Sequence, residues 1–292
     1  MDAKHSRWLF WGPTLIWAST WHVILFQLDS GVPALNSVAW RFGLAALMLA
    51  GLARARCESL AFGWRAHALM AVDGVIQYSG NYLGVYEAEA RVPSGLVAVL
   101  FCLMVFGNAL LARFVFKQRS SPRFLLATAG GVAGVALVFW PEIASSGARP
   151  AAGLGMAIGL GAVAAACVGN MLTLTLTRRG LPLVPVLAWC MGYGSVFLVG
   201  LAAVNGQGLH FALTPAYVGS LLYLAAAGSV LAFVLYFKLA QAQGPARAAL
   251  TSVIIPVLAL VVSALLEGWQ PTPLAVVGMG LSLASVYVAT RP

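Results

Sequence analysis

The chain has 292 residues, of which 61% are hydrophobic and only 9% are charged, and its formal net charge is +9. Soluble domains carry roughly 25% charged residues, so this composition excludes a soluble globular protein and indicates an integral membrane protein. The basic residues lie mostly in loops beside apolar segments, where they set membrane topology, so the net charge does not predict nucleic-acid binding.

Ten apolar segments follow one another along the chain, and each has about 18 to 25 residues, enough to cross a bilayer core of roughly 30 Å. We place them at residues 8–28, 34–53, 65–86, 93–114, 124–140, 153–176, 182–204, 215–241, 245–266 and 273–289. A linker rich in Pro, Gly, Ser and Ala at 141–152 separates a first domain, 1–140, from a second, 153–292. The predicted fold class is an all-α integral membrane protein with ten transmembrane helices. The first segment is too long and too rich in Trp for a signal peptide, so we expect it to be retained.

The basic residues are distributed unevenly across these segments. Fourteen of the 17 fall on the side of the N-terminus: Lys4, Arg7, Arg54, Arg56, Arg65, Arg113, Lys117, Arg119, Arg123, Arg178, Arg179, Lys238, Arg247 and Arg291. Arg91 and Arg149 fall on the opposite side, and Arg41 lies within a segment. Because cytoplasmic loops carry the excess of Lys and Arg, both termini are predicted to be cytoplasmic, in a multi-pass protein of the cell (inner) membrane.

Two stretches about 154 residues apart are similar in sequence. The letters EAE at 87–89 match QAQ at 241–243, and LVAV at 96–99 matches LTSV at 250–253. Five segments is an odd number, so the second half must enter the membrane from the opposite side. The sequence therefore predicts an inverted repeat, an architecture typical of secondary transporters with a site near the bilayer midplane.

The third predicted helix carries a polar face. Asp73, Gln77 and Asn81 are spaced four residues apart and so share one side of the helix. Polar side chains in so apolar a helix are expected to face a cavity or another helix, not lipid. We predict that Gln77 and Asn81 line a substrate cavity or, alternatively, bond between helices. Tyr78 and Tyr82 lie on the adjoining face, where they line the cavity or pack beside it.

Other helices contribute further cavity candidates, with packing as the alternative for each. Trp17 and Trp21 lie four residues apart in the first helix, and Trp17 is too deep for the interfacial anchor that Trp usually provides. The remaining candidates are Asn170 in the sixth helix and Thr251 and Ser252 in the ninth. Pro256 removes a backbone hydrogen bond and is predicted to kink the ninth helix, as a hinge or as a static bend.

Three residues within the predicted helices are charged or able to titrate. Arg41 and Asp73 lie at depths that differ by roughly 8 Å, so an ion pair that locks two helices is one expectation. The functional alternative is that Asp73 exchanges a proton or attracts a substrate ammonium group. His22 is a second candidate for titration near neutral pH, with a packed hydrogen-bonding residue as its alternative.

Several motifs resemble a known family. Arg41-Phe42 followed by GLAALML, and Pro256 with Glu267 and Gly278 after it, are similar to the drug/metabolite transporter superfamily in its ten-helix, EamA-like form. The resemblance implies two five-helix repeats, a cavity formed mainly by helices one, three, four, six, eight and nine, and alternating access between the halves.

The first repeat departs from that pattern at two positions. Cys102 stands where the counterpart of Pro256 is expected, and Lys117 stands near the place of Glu267. These positions are therefore not assigned the roles of their counterparts in the second repeat.

The resemblance also implies a function, which is export of amino acids with broad selectivity, including aromatic ones, as in the similar bacterial exporters. The alternatives are a multidrug or other metabolite exporter, such as a nucleotide-sugar-like exchanger, and a membrane-embedded enzyme. The sequence contains no P-loop, H-E-x-x-H, G-x-S-x-G or C-x-x-C motif, so we expect no enzyme activity, no cofactor and no metal. The expected partners are small-molecule substrates and the lipid bilayer, and the expected state is a monomer or weak dimer.

Overall fold

The structure, a computed structural model, describes residues 3–92, 94–146, 151–266 and 272–290, and the regular secondary structure of these residues is entirely helical. The helices of the first half are α1 (Ala3–Leu28), α2 (Ala34–Ala55), α3 (Trp64–Val75, Ile76–Gly80 and Asn81–Glu89 in succession), α4 (Ser94–Cys102 and Met104–Phe116) and α5 (Pro122–Val138). A short helix, Trp140–Ser146, follows. The helices of the second half are α6 (Ala152–Arg178), α7 (Leu183–Val204), α8 (Pro215–Tyr223, Leu224–Leu231 and Ala232–Gln243 in succession), α9 (Pro245–Ala248 and Thr251–Leu266) and α10 (Pro273–Thr290).

Seven helices of the described residues are long and apolar enough to cross a membrane, namely α1, α2, α4, α6, α7, α8 and α10. Large apolar side chains also face outward: Leu47, Leu126 and Val196 are each at least 70% exposed. Such exposure is unfavourable in water and is expected where lipid is the solvent. The predicted all-helical membrane fold is confirmed. The count of ten crossings stays a prediction, because α5 and the apolar part of α9 are shorter and α3 is not among the seven.

The two halves pack against each other in one repeated pattern. The most extensive contacts pair α5 with α10 and α2 with α7. In addition, α3 packs against α6 and α7, and α8 packs against α1 and α2, which is the same arrangement with the halves exchanged. The middle of the bundle is therefore built from helices of both halves.

Glycines allow the closest of these approaches. A Cβ on Gly134 in α5 would lie 2.6 Å from the carbonyl oxygen of Gly278 in α10, and a Cβ on Gly74 in α3 would lie 2.8 Å from the backbone nitrogen of Gly194 in α7. Real Cβ atoms do not approach backbone atoms so closely, so these crossings require glycine. Small residues thus set the spacing between helices of opposite halves.

Two π-helical turns interrupt the middle of α3 and α8, at Ile76–Gly80 and Leu224–Leu231. A π-helical turn disturbs the regular backbone hydrogen-bond ladder, so other donors are needed. In α3, the Ser79 hydroxyl lies 3.2 Å from the Gly74 carbonyl oxygen and donates to that of Gly194 at 2.9 Å. In α8, the Trp17 indole nitrogen donates to the Gly228 carbonyl oxygen at 3.0 Å. Neither π-helical turn was expected from the sequence.

Candidate functional site

A cavity of about 200 Å³ lies where the two halves meet. Residues of α1, α3, α4, α6, α8 and α9 line it, and these are the six helices that the family resemblance implies. Arg41 adds a contact from α2, which the resemblance did not include. Phe101, Phe233 and Tyr236 make much of the wall aromatic. This combination of apolar walls and a few polar groups is typical of a small-molecule site.

Most of the predicted cavity residues meet at this cavity. Seven of the nine line it: Trp17, Gln77, Asn81, Tyr82, Asn170, Thr251 and Ser252. Trp21 lies in α1, but its side chain falls outside the described part of the structure. His22 does not line the cavity, and its ring contacts Phe26 at a centroid distance of 5.6 Å.

Of the two alternatives for Tyr78, packing is the one observed, because its side chain is fully buried and does not line the cavity. Its ring packs against Phe42 of α2 and Phe233 of α8, at centroid distances of 5.2 and 5.3 Å. Regular helical spacing would place Tyr78 and Tyr82 on the same side. Both rings do contact Phe42, Tyr82 at a centroid distance of 4.8 Å, and of the two only Tyr82 also lines the cavity.

An amide and tyrosine network contributes three residues to the cavity wall, Gln77, Asn170 and Tyr236. Asn170 donates to the Tyr236 hydroxyl at 3.1 Å and to Asn108 Oδ1 at 3.4 Å. Asn108 in turn donates to the Pro245 carbonyl oxygen at 3.3 Å, and Gln77 donates to Asn170 at 3.4 Å. The network joins α3, α4, α6, α8 and the start of α9. Sequence reasoning did not select Asn108, although an amide in so apolar a helix was a usable signal.

The other predicted polar residues at the cavity bond mainly to backbone. Asn81 Nδ2 donates to the Ala162 carbonyl oxygen of α6 at 2.8 Å. The Thr251 and Ser252 hydroxyls donate to carbonyl oxygens three residues earlier, at the break between the two parts of α9. These three side chains therefore give the wall fixed polar positions.

Arg41 faces the cavity although it is only 4% exposed. Its Nε donates to the Ser229 hydroxyl of α8 at 2.9 Å, and its guanidinium lies 5.2 Å from the centre of the Tyr82 ring. Stacking on an aromatic face and a single hydrogen bond hold this cation beside the π-helical turn of α8.

Asp73 is fully buried and does not line the cavity. Its Oδ2 accepts hydrogen bonds from the Thr173 hydroxyl and, at 3.4 Å, from the Cys190 thiol, while Oδ1 has no partner among the described residues. The predicted ion pair with Arg41 is therefore wrong. The reason is that α3 turns Asp73 toward α6 and α7, whereas α2 turns Arg41 toward α8.

Pro256 lies inside α9 and lines the cavity. Its role as a hinge stays a prediction. A proline leaves the carbonyl four residues earlier without its helical donor, and here that carbonyl belongs to Ser252. The Cys102 thiol of α4 lies 3.5 Å from it, within reach of a hydrogen bond, and 3.4 Å from the Ala98 carbonyl oxygen of its own helix. This contact gives a physical reason for cysteine at the position where the first repeat departs from the family pattern. Glu267 lies outside the described residues.

In the described residues, no group of three or more His, Cys, Asp or Glu side chains is placed to hold a metal ion. Arg41 is the one charged side chain among the residues that line the cavity in this part of the chain. The arrangement is suited to non-covalent binding of a small molecule that carries both polar and apolar groups.

Comparisons with known proteins agree with this architecture. The model of the EamA-like transporter family matches the chain twice, at residues 7–140 and 154–291. A protein of Streptantibioticus cattleyicolor named a probable terminal-alkyne amino-acid exporter is 27% identical, over 100% of this chain and 95% of its own length. Protein PecM of Dickeya dadantii is 23% identical over 88% of this chain and 82% of its own. One crystal structure shares the fold, with a TM-score of 0.78 at 16% identity over 98% of this chain and 97% of that one.

Proposed function

The chain belongs to the EamA-like transporter family, and from that premise we propose that it exports amino acids, including aromatic ones, by alternating access between two inverted five-helix halves. It acts in the inner membrane with both termini in the cytoplasm. The observation that carries the proposal is the cavity between the halves, where aromatic walls, neutral amides and one guanidinium come together.

The size and charge of the cavity favour amino acids over drugs. Its volume of about 200 Å³ is below the roughly 300–1,000 Å³ of pockets for drug-sized ligands. An exporter of cationic drugs needs a carboxylate that the drug can reach. Asp73 is fully buried away from the cavity, and the charge that does face it, Arg41, is positive.

The relative from Streptantibioticus cattleyicolor gives independent support for this substrate class. Its name assigns it the export of an amino acid, and the alignment spans nearly the whole of both chains. At 27% identity the relative supports the class of substrate and not its side chain.

The placement of the amide network supports alternating access. Asn108 lies in the second part of α4, and Pro245 begins α9, so the network lies toward the end of the bundle that carries Arg113, Lys117 and Arg247. By charge asymmetry this end is cytoplasmic. The network thus acts as an inner gate, and its opening between α4, α6, α8 and α9 admits substrate from the cytoplasm.

Flux of labelled amino acids through purified protein in liposomes tests the proposal. Saturable flux of several amino acids is expected, with aromatic ones among them. Ala166→Phe fills the cavity and is expected to lower flux at least tenfold, whereas Ala164→Phe, on the exposed face of the same helix, leaves it unchanged. No amino-acid flux through folded wild-type protein would overturn the proposal.

A further inference from the structure

Building on the proposed function, we infer that Arg41 binds the carboxylate of the substrate and so restricts this cavity to molecules that carry one carboxylate group, amino acids among them. The Arg41 side chain lines the cavity and is only 4% exposed. It is the single charged residue among the described lining residues.

The surroundings of Arg41 position its charge without neutralising it. Ser229 accepts from Nε, and the rings of Tyr82 and Phe42 lie 5.2 and 5.4 Å from the guanidinium carbon. All these partners are neutral, and no carboxylate in the described part of the chain forms an ion pair with Arg41. A buried cation without a counter-charge is unfavourable, so an anionic ligand gains both the charge interaction and the hydrogen bonds.

The geometry of the guanidinium selects the kind of anion. Ser229 occupies Nε, which leaves the N–H groups of Nη1 and Nη2 for the ligand, and two parallel N–H groups match the two oxygens of a carboxylate. Gly228 allows the guanidinium to approach α8 closely, because a Cβ there would lie 3.3 Å from Nη2.

The single positive charge favours a carboxylate over a phosphate. A phosphate monoester carries about −1.5 to −2 charges at neutral pH, and one guanidinium would leave part of that charge buried and unpaired. A carboxylate carries one negative charge and is neutralised completely.

The test compares phenylalanine with three analogues on the wild-type protein: phenylalaninamide, 3-phenylpropionate and the phosphonate of phenylalanine. Binding is measured as a shift in melting temperature in detergent, and transport as competition with labelled phenylalanine in liposomes. The two carboxylates are expected to bind at least about 30-fold more tightly than the amide, as for a buried charge pair that loses one partner. Equal affinity for acid and amide, or tighter binding of the phosphonate, would overturn the assignment.

Variants of the protein then test whether Arg41 causes the preference for the acid over the amide. Arg41→Gln is expected to lower affinity for phenylalanine about 30-fold while affinity for the amide stays the same. Arg54→Gln, an exposed arginine on the same helix, is the control and is expected to change neither affinity. If Arg41→Gln does not fold, Ser229→Ala removes the acceptor that positions Nε, with an expected loss of about fivefold for the acid alone. Retained discrimination between acid and amide in folded Arg41→Gln protein would exclude Arg41 as its source.

The two proposals fail in different ways. If phenylpropionate binds in an Arg41-dependent manner but no amino acid is transported, the proposed function fails and the carboxylate site stands. If amino acids are transported and the amide competes as well as the acid, the carboxylate site fails and the proposed function stands.

Discussion

The π-helical turns of α3 and α8 adjoin two buried charges with opposite surroundings. Asp73, just before the turn in α3, is enclosed by Thr173 and Cys190 and has no access to the cavity. Arg41 reaches the turn in α8 through Ser229 and opens onto the cavity. The contact of α3 with α7 and the contact of α8 with α2 have the same position in the packing pattern. The contact beside Asp73 is closed, whereas the contact beside Arg41 is part of the cavity.

The glycines at the two places explain the difference. A Cβ on Gly74 would meet backbone atoms of α7, which cannot move away independently, so α3 and α7 are in direct contact. The nearest atoms to a Cβ on Gly228 would all belong to side chains, those of Thr20, Arg41 and Leu224. Backbone contact at Gly74 holds α3 directly against α7 and leaves no room there. Side-chain contact at Gly228 can adjust, which suits a binding site.

The largest expected effect tests the closed contact. Gly74→Ala places a Cβ 2.8 Å from the Gly194 nitrogen and is expected to destabilise the protein by about 1–3 kcal/mol through overpacking. The control is Gly51→Ala in α2, where a Cβ would have no neighbour within 4 Å. Thermal unfolding in detergent measures both, and an unchanged melting temperature for Gly74→Ala would show that α3 and α7 separate easily.

A second prediction concerns the hydrogen bonds around Asp73. Thr173→Val removes the hydroxyl that donates to Oδ2 and is expected to cost about 1–3 kcal/mol, since a buried carboxyl group loses a donor. Thr20→Val is the matched control, because the Thr20 hydroxyl donates to the Trp17 carbonyl oxygen of its own helix. Equal melting temperatures for the two variants would mean that Asp73 finds another donor and is not sealed.

A third prediction compares the side chains that satisfy the two π-helical turns. Ser79→Ala removes a buried hydroxyl that contacts two carbonyl oxygens, and Trp17→Phe removes one indole donor to Gly228. Hydrogen bonds between membrane helices are worth about 0.6 kcal/mol on average, so both losses are expected to be small in stability. Ser79→Ala is expected to have the larger effect in thermal unfolding, and the reverse order would argue that the α8 turn is the more constrained one.

The smallest expected change in stability is for Gly228→Ala. Here Ala is the better helix former, by about 1 kcal/mol, and this gain offsets the displacement of the Thr20 and Arg41 side-chain ends. Folding is therefore expected to stay nearly unchanged, while the half-saturation concentration for amino-acid flux rises. A normal half-saturation concentration would show that displacing Nη2 does not affect substrate binding.

The sequence was sufficient for the features that depend on composition and local periodicity. The low charge content indicated a membrane protein, and helical spacing placed Gln77, Asn81 and Asn170 on the inner faces of their helices. Trp17 followed from its depth in the first helix. These inferences hold because helix faces are fixed by the backbone period of 3.6 residues, which does not depend on the neighbouring helices.

Only the tertiary structure decided which inner faces meet. Spacing could not reveal the π-helical turn in α3, nor the choice of Thr173 as the partner of Asp73 and Ser229 as the partner of Arg41. Residues far apart in the chain make these contacts, and close backbone approach at glycines selects them. The cavity, and the one cation that faces it, therefore follow from how the two halves pack.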